Sequence, residues 1–230
     1  MLNVAVSRAK DSFLVFGDMD IFDPRLKSQP RGLLAAYLFR SADNELTYPA
    51  IQRTDITDMG ATIQVLHDAE EHDVFLREAI ESARRKVMIV TPWFKQEKLS
   101  ASGVLGPMHV AISRGVKITI YTDLEFNRGN KSAQDQEVNE RILMKAKEAL
   151  EPSGIQLVIV NKVHSKIVAC DDDLLCIGSF NWFGAAREGD YKRHETSLVY
   201  KGDAVRNEIV INHNSLQAQQ DKFIGISRNS

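Results

Sequence analysis

The residue types best suited to chemistry are concentrated in one segment, residues 164–181, which reads HSKIVACDDDLLCIGSFN. A histidine and a lysine, His164 and Lys166, stand two positions apart at its start. Side chains two apart in a strand share a face, so we expect the imidazole and the ammonium to point to the same side. An imidazole can attack phosphorus and form a covalent intermediate, while a fixed positive charge holds the phosphoryl oxygens. The pair therefore predicts phosphoryl transfer.

Hydrogen-bond donors follow this pair at Ser179 and Asn181. The Ser179 hydroxyl and the Asn181 amide can donate to oxygens that gain charge while phosphorus is attacked. We expect Gly178 to let the backbone approach the substrate closely, since glycine has no Cβ. This set of groups needs no metal ion, and we predict a site without metal or other cofactor.

The complete pattern, His-x-Lys-x4-Asp-x6-Gly-Ser-x-Asn, resembles the HKD motif of the phospholipase D superfamily. The six motif positions are filled by His164, Lys166, Asp171, Gly178, Ser179 and Asn181. The resemblance covers about residues 61–220. It implies a catalytic histidine and lysine, with Asn181 and Ser179 as further catalytic groups.

The resemblance implies roles for two acidic residues. Asp171 is structural in the family, which agrees with its place in an Asp-rich turn between two apolar strands. Glu195 stands where the family often has an acidic residue, shortly after the Gly-Ser-x-Asn segment. There it can accept the other N–H of the imidazole and fix the tautomer. A solvated strand carboxylate is the alternative for Glu195.

The number of motifs predicts an oligomer. Larger members of the superfamily carry two HKD motifs, whereas this sequence has one. The reaction needs one histidine as nucleophile and a second as general acid. A single-motif chain resembles the bacterial nuclease branch, in which two protomers pair across a two-fold axis. We expect a homodimer in which each protomer contributes His164 to one composite site.

Aromatic and basic residues near the motif favour nucleic acid as the substrate. Trp182, in GSFNWF, can stack on a base. Arg187, Lys192 and Arg193 can bind the phosphate backbone. Core packing of the aromatic side chains and plain solvation of the charges remain alternatives. The sequence does not distinguish DNA from RNA.

Residues 1–18 resemble the last conserved motif of superfamily 1 helicases, with Arg8 as the arginine finger. The sequence contains no Walker A pattern, so this chain is not expected to hydrolyse ATP by itself. We interpret it as the C-terminal part of a helicase–nuclease whose helicase portion, an expected partner, is missing here.

Charge, cysteine content and the length of the apolar runs argue against several other classes of protein. Twenty-nine basic and 31 acidic residues give a net charge of −2, which is unlike a DNA-coating protein. The two cysteines, Cys170 and Cys176, are too few for a disulfide framework and are expected to be buried. No apolar run is long enough to span a bilayer and no signal-peptide pattern occurs. We expect a cytoplasmic protein with no membrane contact.

The elements that must position the site alternate between strands and helices. Apolar runs predict strands at KVMIVTPW, VKITIYTD, IQLVIVN and ETSLVY, and a hairpin within residues 164–181. Helices are predicted from Asp73 to about Arg85, between Pro107 and Gly115, from Ser132 to Leu150, and from Asp203. This order predicts an α/β, phospholipase D-like sandwich with a mixed β-sheet flanked by helices. We divide the chain into 1–18, a linker with one helix at 19–60, and a phosphodiesterase domain at 61–225.

Three functions are compatible with these residues. The first is a metal-independent endonuclease that acts through a phosphohistidine, and the intact motif favours it. The second is a non-catalytic nucleic-acid-binding or assembly module of a helicase. The third is a phospholipid hydrolase or phosphatidyltransferase, for which no amphipathic membrane face gives support.

Overall fold

The computed structural model describes residues 23–40 and 61–227. The chain divides into two compact units, Met1–Asp55 and Ile56–Ser230. One helix is described in the first unit, α1 (Pro30–Leu38), and it begins at a proline, which suits the first helical turn. This helix lies within residues 19–60, for which the sequence predicts a linker with one helix. The predicted helicase motif at residues 1–18 lies outside the described residues.

A single mixed sheet organises the second unit. Its strands are β1 (Thr62–His67), β2 (Lys86–Val90), β3 (Lys117–Asp123), β4 (Ile155–Val160), β5 (Ile167–Cys170), β6 (Leu174–Gly178) and β7 (Thr196–Lys201). Their order across the sheet is β1-β7-β6-β5-β2-β3-β4. The neighbours β2, β3 and β4 run parallel, and every other pairing is antiparallel. The predicted mixed α/β architecture is confirmed.

Helices cover the sheet on both faces. They are α2 (Asp68–Ser82), α3 (Gln96–Ala101), α4 (Leu105–Ser113), α5 (Leu124–Arg128), α6 (Ala133–Leu150) and α7 (Arg206–Ser227). Helix α6 begins as predicted, because the Ser132 hydroxyl accepts a hydrogen bond from the N–H of Asp135. No helix among the described residues has the length and apolar character needed to cross a membrane.

Helix α2 begins earlier than the sequence suggested, at Asp68 and not near Asp73. The Glu71 carboxylate accepts the N–H of His67 at 2.7 Å and so satisfies a free donor at the helix start. Asp73 is engaged elsewhere, in an ion pair with Arg187. The N-cap residue is therefore His67, and Glu71, inside the helix, reaches back to its N–H.

Apolar side chains fill both interfaces between the sheet and the helices. On one face, Leu76 of α2 and Met108 of α4 pack into the same cluster as Ile89 and Ile118 of the central strands. On the other face, Ile209 of α7 packs into a separate cluster with strand residues. Strands β2 and β3 are buried on both faces, which explains their unbroken apolar sequences.

The two cysteines lie within this core. Both Cys170 and Cys176 are buried and unpaired, as expected for small apolar side chains. Burial raises the pKa of the Cys176 thiol to about 12. Neither thiol is suited to nucleophilic chemistry, since the thiolate is the reactive form.

The segments that carry the candidate site residues lie together at one edge of the sheet, where several strands begin or end. The parallel strands β2, β3 and β4 end there, and β5 begins there after residues 161–166. The antiparallel pair β6 and β7 brings the end of one strand and the start of the other to the same edge. Loops at the carboxyl ends of parallel strands form the usual ligand sites of α/β folds.

Candidate active site

The predicted histidine and lysine lie together at this edge. The Nζ of Lys166 is 3.1 Å from Nε2 of His164 and donates to the carbonyl oxygen of His164 at 2.7 Å. An ammonium can only donate, so the contact fits a neutral imidazole whose lone pair is on Nε2. Both residues stand in the extended segment just before β5, not in the strand itself. The structure thus places an exposed imidazole beside a cation.

Lys166 is nearly enclosed, with 9% of its surface exposed. Burial lowers the pKa of its ammonium, because a low-dielectric environment disfavours the charged form, while the charge of Glu195 acts in the opposite direction. A cation with few water contacts interacts strongly with a bound anion.

Two aromatic rings that the sequence analysis did not single out flank His164. The ring of Phe126 lies 4.9 Å from the imidazole, and the ring of Trp93 lies 5.8 Å away in an edge-on arrangement. The Nζ of Lys166 also lies 5.7 Å from the centre of the Trp93 ring. Trp93 follows β2 and Phe126 follows β3, so both come from strand ends at the site edge. In the sequence, the feature that could have identified these two residues is their position just after the apolar runs of β2 and β3.

A buried carboxylate holds the backbone on both sides of this arrangement. Asp123, which is fully buried, accepts the N–H of Phe126 at 2.9 Å and the N–H of Val163 at 2.8 Å. Val163 directly precedes His164. One side chain at the end of β3 therefore fixes both the aromatic wall and the segment that carries the histidine.

A neighbouring amide fixes the segment that carries Trp93. The Asn127 side chain accepts the N–H of Phe94 at 2.9 Å and donates to the carbonyl oxygen of Pro92 at 2.9 Å. These two bonds bracket Trp93. The aromatic wall is thus held by side-chain-to-backbone bonds from β3 and α5, which the spacing of the motif does not reveal.

Glu195 and Ser179 lie together. The Ser179 hydroxyl donates to the Glu195 carboxylate at 2.5 Å and accepts the N–H of Thr196 at 3.1 Å. Within the described chain Glu195 has no hydrogen bond to His164, in contrast to the sequence expectation. The Ser179 hydroxyl is engaged by the carboxylate and is not directed as a free donor at a phosphate.

Asp68 holds the backbone of Glu195 from the opposite side. Its carboxylate accepts the N–H of Glu195 at 3.2 Å, and its own N–H donates to the Glu195 carbonyl at 2.9 Å. The hydrogen bond from the Glu195 N–H contributes most to holding the pKa of Asp68 below its usual range. The carboxyl end of β1 thereby positions an acidic residue of the site.

Asn181 contributes a side chain that the fold does not use. Its Oδ1 is buried and has no hydrogen-bond partner among the described residues. Buried polar atoms are normally paired, and exceptions mark places where a ligand or water completes the set. The NH₂ nitrogen of the same side chain is not among the enclosed unpaired atoms and has no partner among the described residues, so this donor, and not the enclosed oxygen, is the group that can bind a substrate oxygen.

Gly178 has a different role from the expected one. A Cβ at this position would lie 2.0 Å from the Ser197 Oγ on the neighbouring strand β7. That hydroxyl also lies 2.8 Å from Nε2 of His72, whose buried ring stacks on Phe180. The absence of a side chain at Gly178 therefore allows the close approach of two strands.

Asp171 occupies the turn as expected. Its carboxylate accepts backbone N–H groups from Arg84, Arg85 and Lys86 at 2.9, 2.8 and 3.0 Å. Burial raises the pKa of Asp171, but these three donors outweigh it and leave the pKa below its usual value. Asp171 thus ties the β5–β6 turn to the start of β2.

Two of the predicted nucleic-acid-binding residues are internal. Trp182 is 1% exposed and packs in the core, so its ring is not accessible to a base. Arg187 forms an ion pair with Asp73 at 2.6 Å and donates to the Trp182 carbonyl oxygen. Both differ from the expectation because the segment after Asn181 turns inward. Lys192 and Arg193 are exposed, and neither forms an ion pair with a described residue.

A groove of about 500 Å³ is lined by Trp93, whose ring lies 5.8 Å from that of His164. Seven of its lining residues carry aromatic, basic or amide side chains: Trp93, Lys95, Lys98, Phe180, Asn181, Tyr191 and Arg193. Lys95 and Lys98 were missed by the sequence analysis because they lie about 70 residues before the motif. Within residues 23–40 and 61–227, no group of three or more His, Cys, Asp or Glu side chains could hold a metal ion.

Known proteins resemble the chain in sequence and in fold. Residues 76–213 match the family model described as cardiolipin synthase, PLD-like domain. Nuc, a phospholipase D family member from Salmonella typhimurium, is 21% identical, with a TM-score of 0.52 over 69% of this chain and 95% of its own. NucT from Helicobacter pylori is 17% identical, with a TM-score of 0.48 over 69% and 97% of the two chains.

No curated protein sequence matches the chain. The likeness to Nuc shows a common fold. The family model spans more than half of the sequence and contains the whole HKD pattern around His164 and Lys166. The chain therefore belongs to the family of phospholipase D-like domains.

Proposed function

We propose that this chain is a metal-independent phosphodiesterase that cuts nucleic acid through a covalent phosphohistidine. The observation that carries the proposal is the exposed side chain of His164, whose Nε2 lies 3.1 Å from the buried ammonium of Lys166. A nucleophilic nitrogen and a cation for the phosphoryl oxygens thereby stand within reach of one phosphate group.

The reaction has two displacements. Nε2 of His164 attacks phosphorus, the bond to the leaving oxygen breaks, and a general acid gives that oxygen a proton. Water then attacks the phosphorus of the phosphohistidine and gives a proton to the group that acted as general acid in the first step. The bond from phosphorus to Nε2 breaks, which releases the imidazole and a phosphomonoester. Lys166 and the Asn181 amide stabilise charge on the phosphoryl oxygens in both steps. Ser179 positions Glu195, since its hydroxyl is engaged by that carboxylate.

The general acid is proposed to be a second His164, supplied by another copy of the chain. Among the described residues, no other histidine has a hydrogen bond or ring contact with His164. A homodimer with a composite site provides the missing acid.

An exposed apolar face supports the homodimer. Ile63 of β1 and Leu198 of β7 are 69% and 51% exposed, and Val65 and Ile177 are exposed as well. The strand register places all four side chains on the face that α7 covers elsewhere. Ile177 pairs with Ile167, which directly follows Lys166. An apolar patch beside the site is suited to cover by a second protomer.

Nucleic acid is favoured as the substrate by the unpaired cations of the groove. The resemblance of residues 1–18 to a helicase motif supports the same choice, and we propose that the domain works as the C-terminal part of a helicase–nuclease. The family description names cardiolipin synthase, so phosphatidyl transfer is the second candidate.

The proposal is tested by incubating the protein with single- and double-stranded DNA and RNA in excess EDTA. His164→Ala removes the nucleophile, and His109→Ala, an exposed residue of α4, is the matched control. We expect cleavage by the wild type and the control and none by His164→Ala. Cleavage by His164→Ala would refute the proposed nucleophile. Turnover of a phosphatidyl lipid with no cleavage of nucleic acid would favour the second candidate.

A further inference from the structure

The groove lined by Trp93 joins two segments far apart in sequence, and we call it the Lys95 groove. One wall follows β2 and carries Trp93, Lys95 and Lys98, and the other, between β6 and β7, carries Tyr191 and Arg193. Asn181 and Glu195 line the end shared with the active site. The groove therefore includes two of the predicted site residues, and Trp93 connects it to the ring of His164, 5.8 Å away.

The cations of the groove are not neutralised by the protein. Lys95, Lys98 and Arg193 form no ion pair with any described residue. By contrast, Arg187 and Arg128 are each paired with carboxylates at 2.6 Å. Among the described lining residues, the one acidic group is Glu195, whose carboxylate is hydrogen-bonded to Ser179. The groove thus offers its positive charge to an external polyanion.

An aromatic side chain stands among these cations. Tyr191 is 84% exposed, and no ring contact is formed between it and another described residue. Solvent-exposed aromatic rings next to phosphate-binding cations are the combination with which proteins hold single strands, because unpaired bases stack on them. In a duplex the bases are already stacked on one another and do not present their faces.

The walls of the groove are joined before any ligand arrives. The N–H of Lys95 donates to the carbonyl oxygen of Phe183 at 2.9 Å, and Phe94 and Phe183 form a parallel bridge. A Cβ at Gly184 would lie 2.8 Å from the Trp93 Cβ, so only glycine allows this contact. The floor that supports Lys95 is therefore preorganised, which lowers the entropic cost of binding.

We infer that the Lys95 groove binds a single strand of nucleic acid next to the scissile phosphate. Lys95, Lys98 and Arg193 contact successive phosphates, and Tyr191 stacks on an unpaired base. The volume of about 500 Å³ accommodates a nucleotide-sized portion of one strand. The inference rests on the proposed function for its substrate class and adds a preference for unpaired over paired strands.

Binding is tested apart from cleavage in the full chain carrying His164→Ala. Fluorescence anisotropy reports the binding of a labelled single-stranded oligonucleotide and of the same sequence in a duplex, over a series of salt concentrations. Lys95→Gln with Lys98→Gln removes two groove cations. Lys145→Gln with Lys222→Gln, two exposed lysines outside the groove, is the control of equal charge.

We expect the groove variant to bind the single strand about tenfold more weakly, with the slope of log K against log[salt] reduced by about 1.4, or about 0.7 per lost phosphate contact. The control keeps the wild-type slope. Tyr191→Ala weakens binding at every salt concentration, whereas Tyr191→Phe retains it, because stacking needs the ring and not the hydroxyl. Thermal melting of each variant checks that the fold is kept.

Two results would overturn the inference: an unchanged salt slope in the groove variant, or duplex binding as tight as single-strand binding. Failure here is distinguishable from failure of the proposed function. If binding depends on the groove lysines but the wild type cleaves no nucleic acid, the proposed nuclease function is wrong and the binding role of the groove stands. If cleavage depends on His164 but binding does not depend on the groove lysines, the binding role of the groove is wrong and the proposed nuclease function stands.

Discussion

The Lys166 ammonium lies 3.1 Å from Nε2 of His164 and 2.7 Å from the carbonyl oxygen of the same residue. This double contact orients the cation and the nucleophile relative to each other before substrate is present. An ammonium has no acceptor, so in this contact Lys166 is the donor and Nε2 of His164 is the acceptor. In the proposed reaction the same lysine contacts the phosphoryl oxygens as phosphorus is attacked.

The pH dependence of cleavage follows from Lys166. Burial lowers the pKa of this ammonium, so its charge is lost at a lower pH than that of an ordinary lysine. Activity is therefore expected to fall as the pH rises through the lowered pKa. In Lys166→Arg this alkaline limb should disappear, because a guanidinium remains charged. An alkaline limb that is identical in the wild type and Lys166→Arg would contradict this assignment.

Asp123 is predicted to be a positioning residue. Asp123→Asn keeps the size but replaces one of two acceptor oxygens by an NH₂ group, so one of the backbone N–H groups loses its partner. We expect a loss of about 1–3 kcal/mol in the free energy of unfolding. The kcat should fall more than KM rises, since Val163 sets the place of His164. Denaturant unfolding and steady-state kinetics measure the two effects. A wild-type kcat would refute the positioning role.

The Asp73–Arg187 pair is predicted to act on stability and not on binding. Both side chains are largely buried, so removing one partner by Arg187→Gln leaves an uncompensated carboxylate. The expected loss is about 3 kcal/mol in the free energy of unfolding. The salt dependence of oligonucleotide binding should stay at the wild-type slope. A reduced slope with unchanged stability would instead restore Arg187 to the nucleic-acid interface.

A substitution at Leu198 tests whether two copies of the chain form one composite site. A charge on the exposed apolar face opposes the burial that a second protomer would provide, so Leu198→Lys is expected to give a monomer in light scattering. Cleavage should fall at least tenfold with His164 intact, because the second histidine is removed with the partner. The matched change Val110→Lys, at an exposed position of α4, should leave mass and activity unchanged. A fully active Leu198→Lys monomer would contradict the two-copy site.

Much of the fold was predictable from local patterns. Strands β2 and β3 are buried on both faces and read as unbroken apolar runs, and Ser132 marks the start of α6 through its own hydroxyl. The hairpin was equally readable, because apolar residues flank an Asp-rich turn that needs Asp171. In each case the residues that determine the structure are neighbours in sequence.

The candidate site was predictable only in part, since contacts between distant residues decide the rest. Trp182 follows Asn181 and looked available to a base, yet Arg187 binds Asp73, 114 residues earlier, and this segment turns into the core. Conversely, Trp93 and Phe126 reach His164 from the ends of separate parallel strands. The motif points to Gly178, but the atom that excludes a side chain there belongs to Ser197 of a neighbouring strand.

The central claim is that His164 becomes covalently phosphorylated. The most direct test is to quench the protein during turnover of a single-stranded oligonucleotide in EDTA and to identify the adduct by mass spectrometry of the peptide that contains His164. We predict a phosphoryl-linked adduct on His164 that is stable in base and labile in acid, and absent from His164→Ala. Cleavage without an adduct, or an adduct on another residue, would contradict the account.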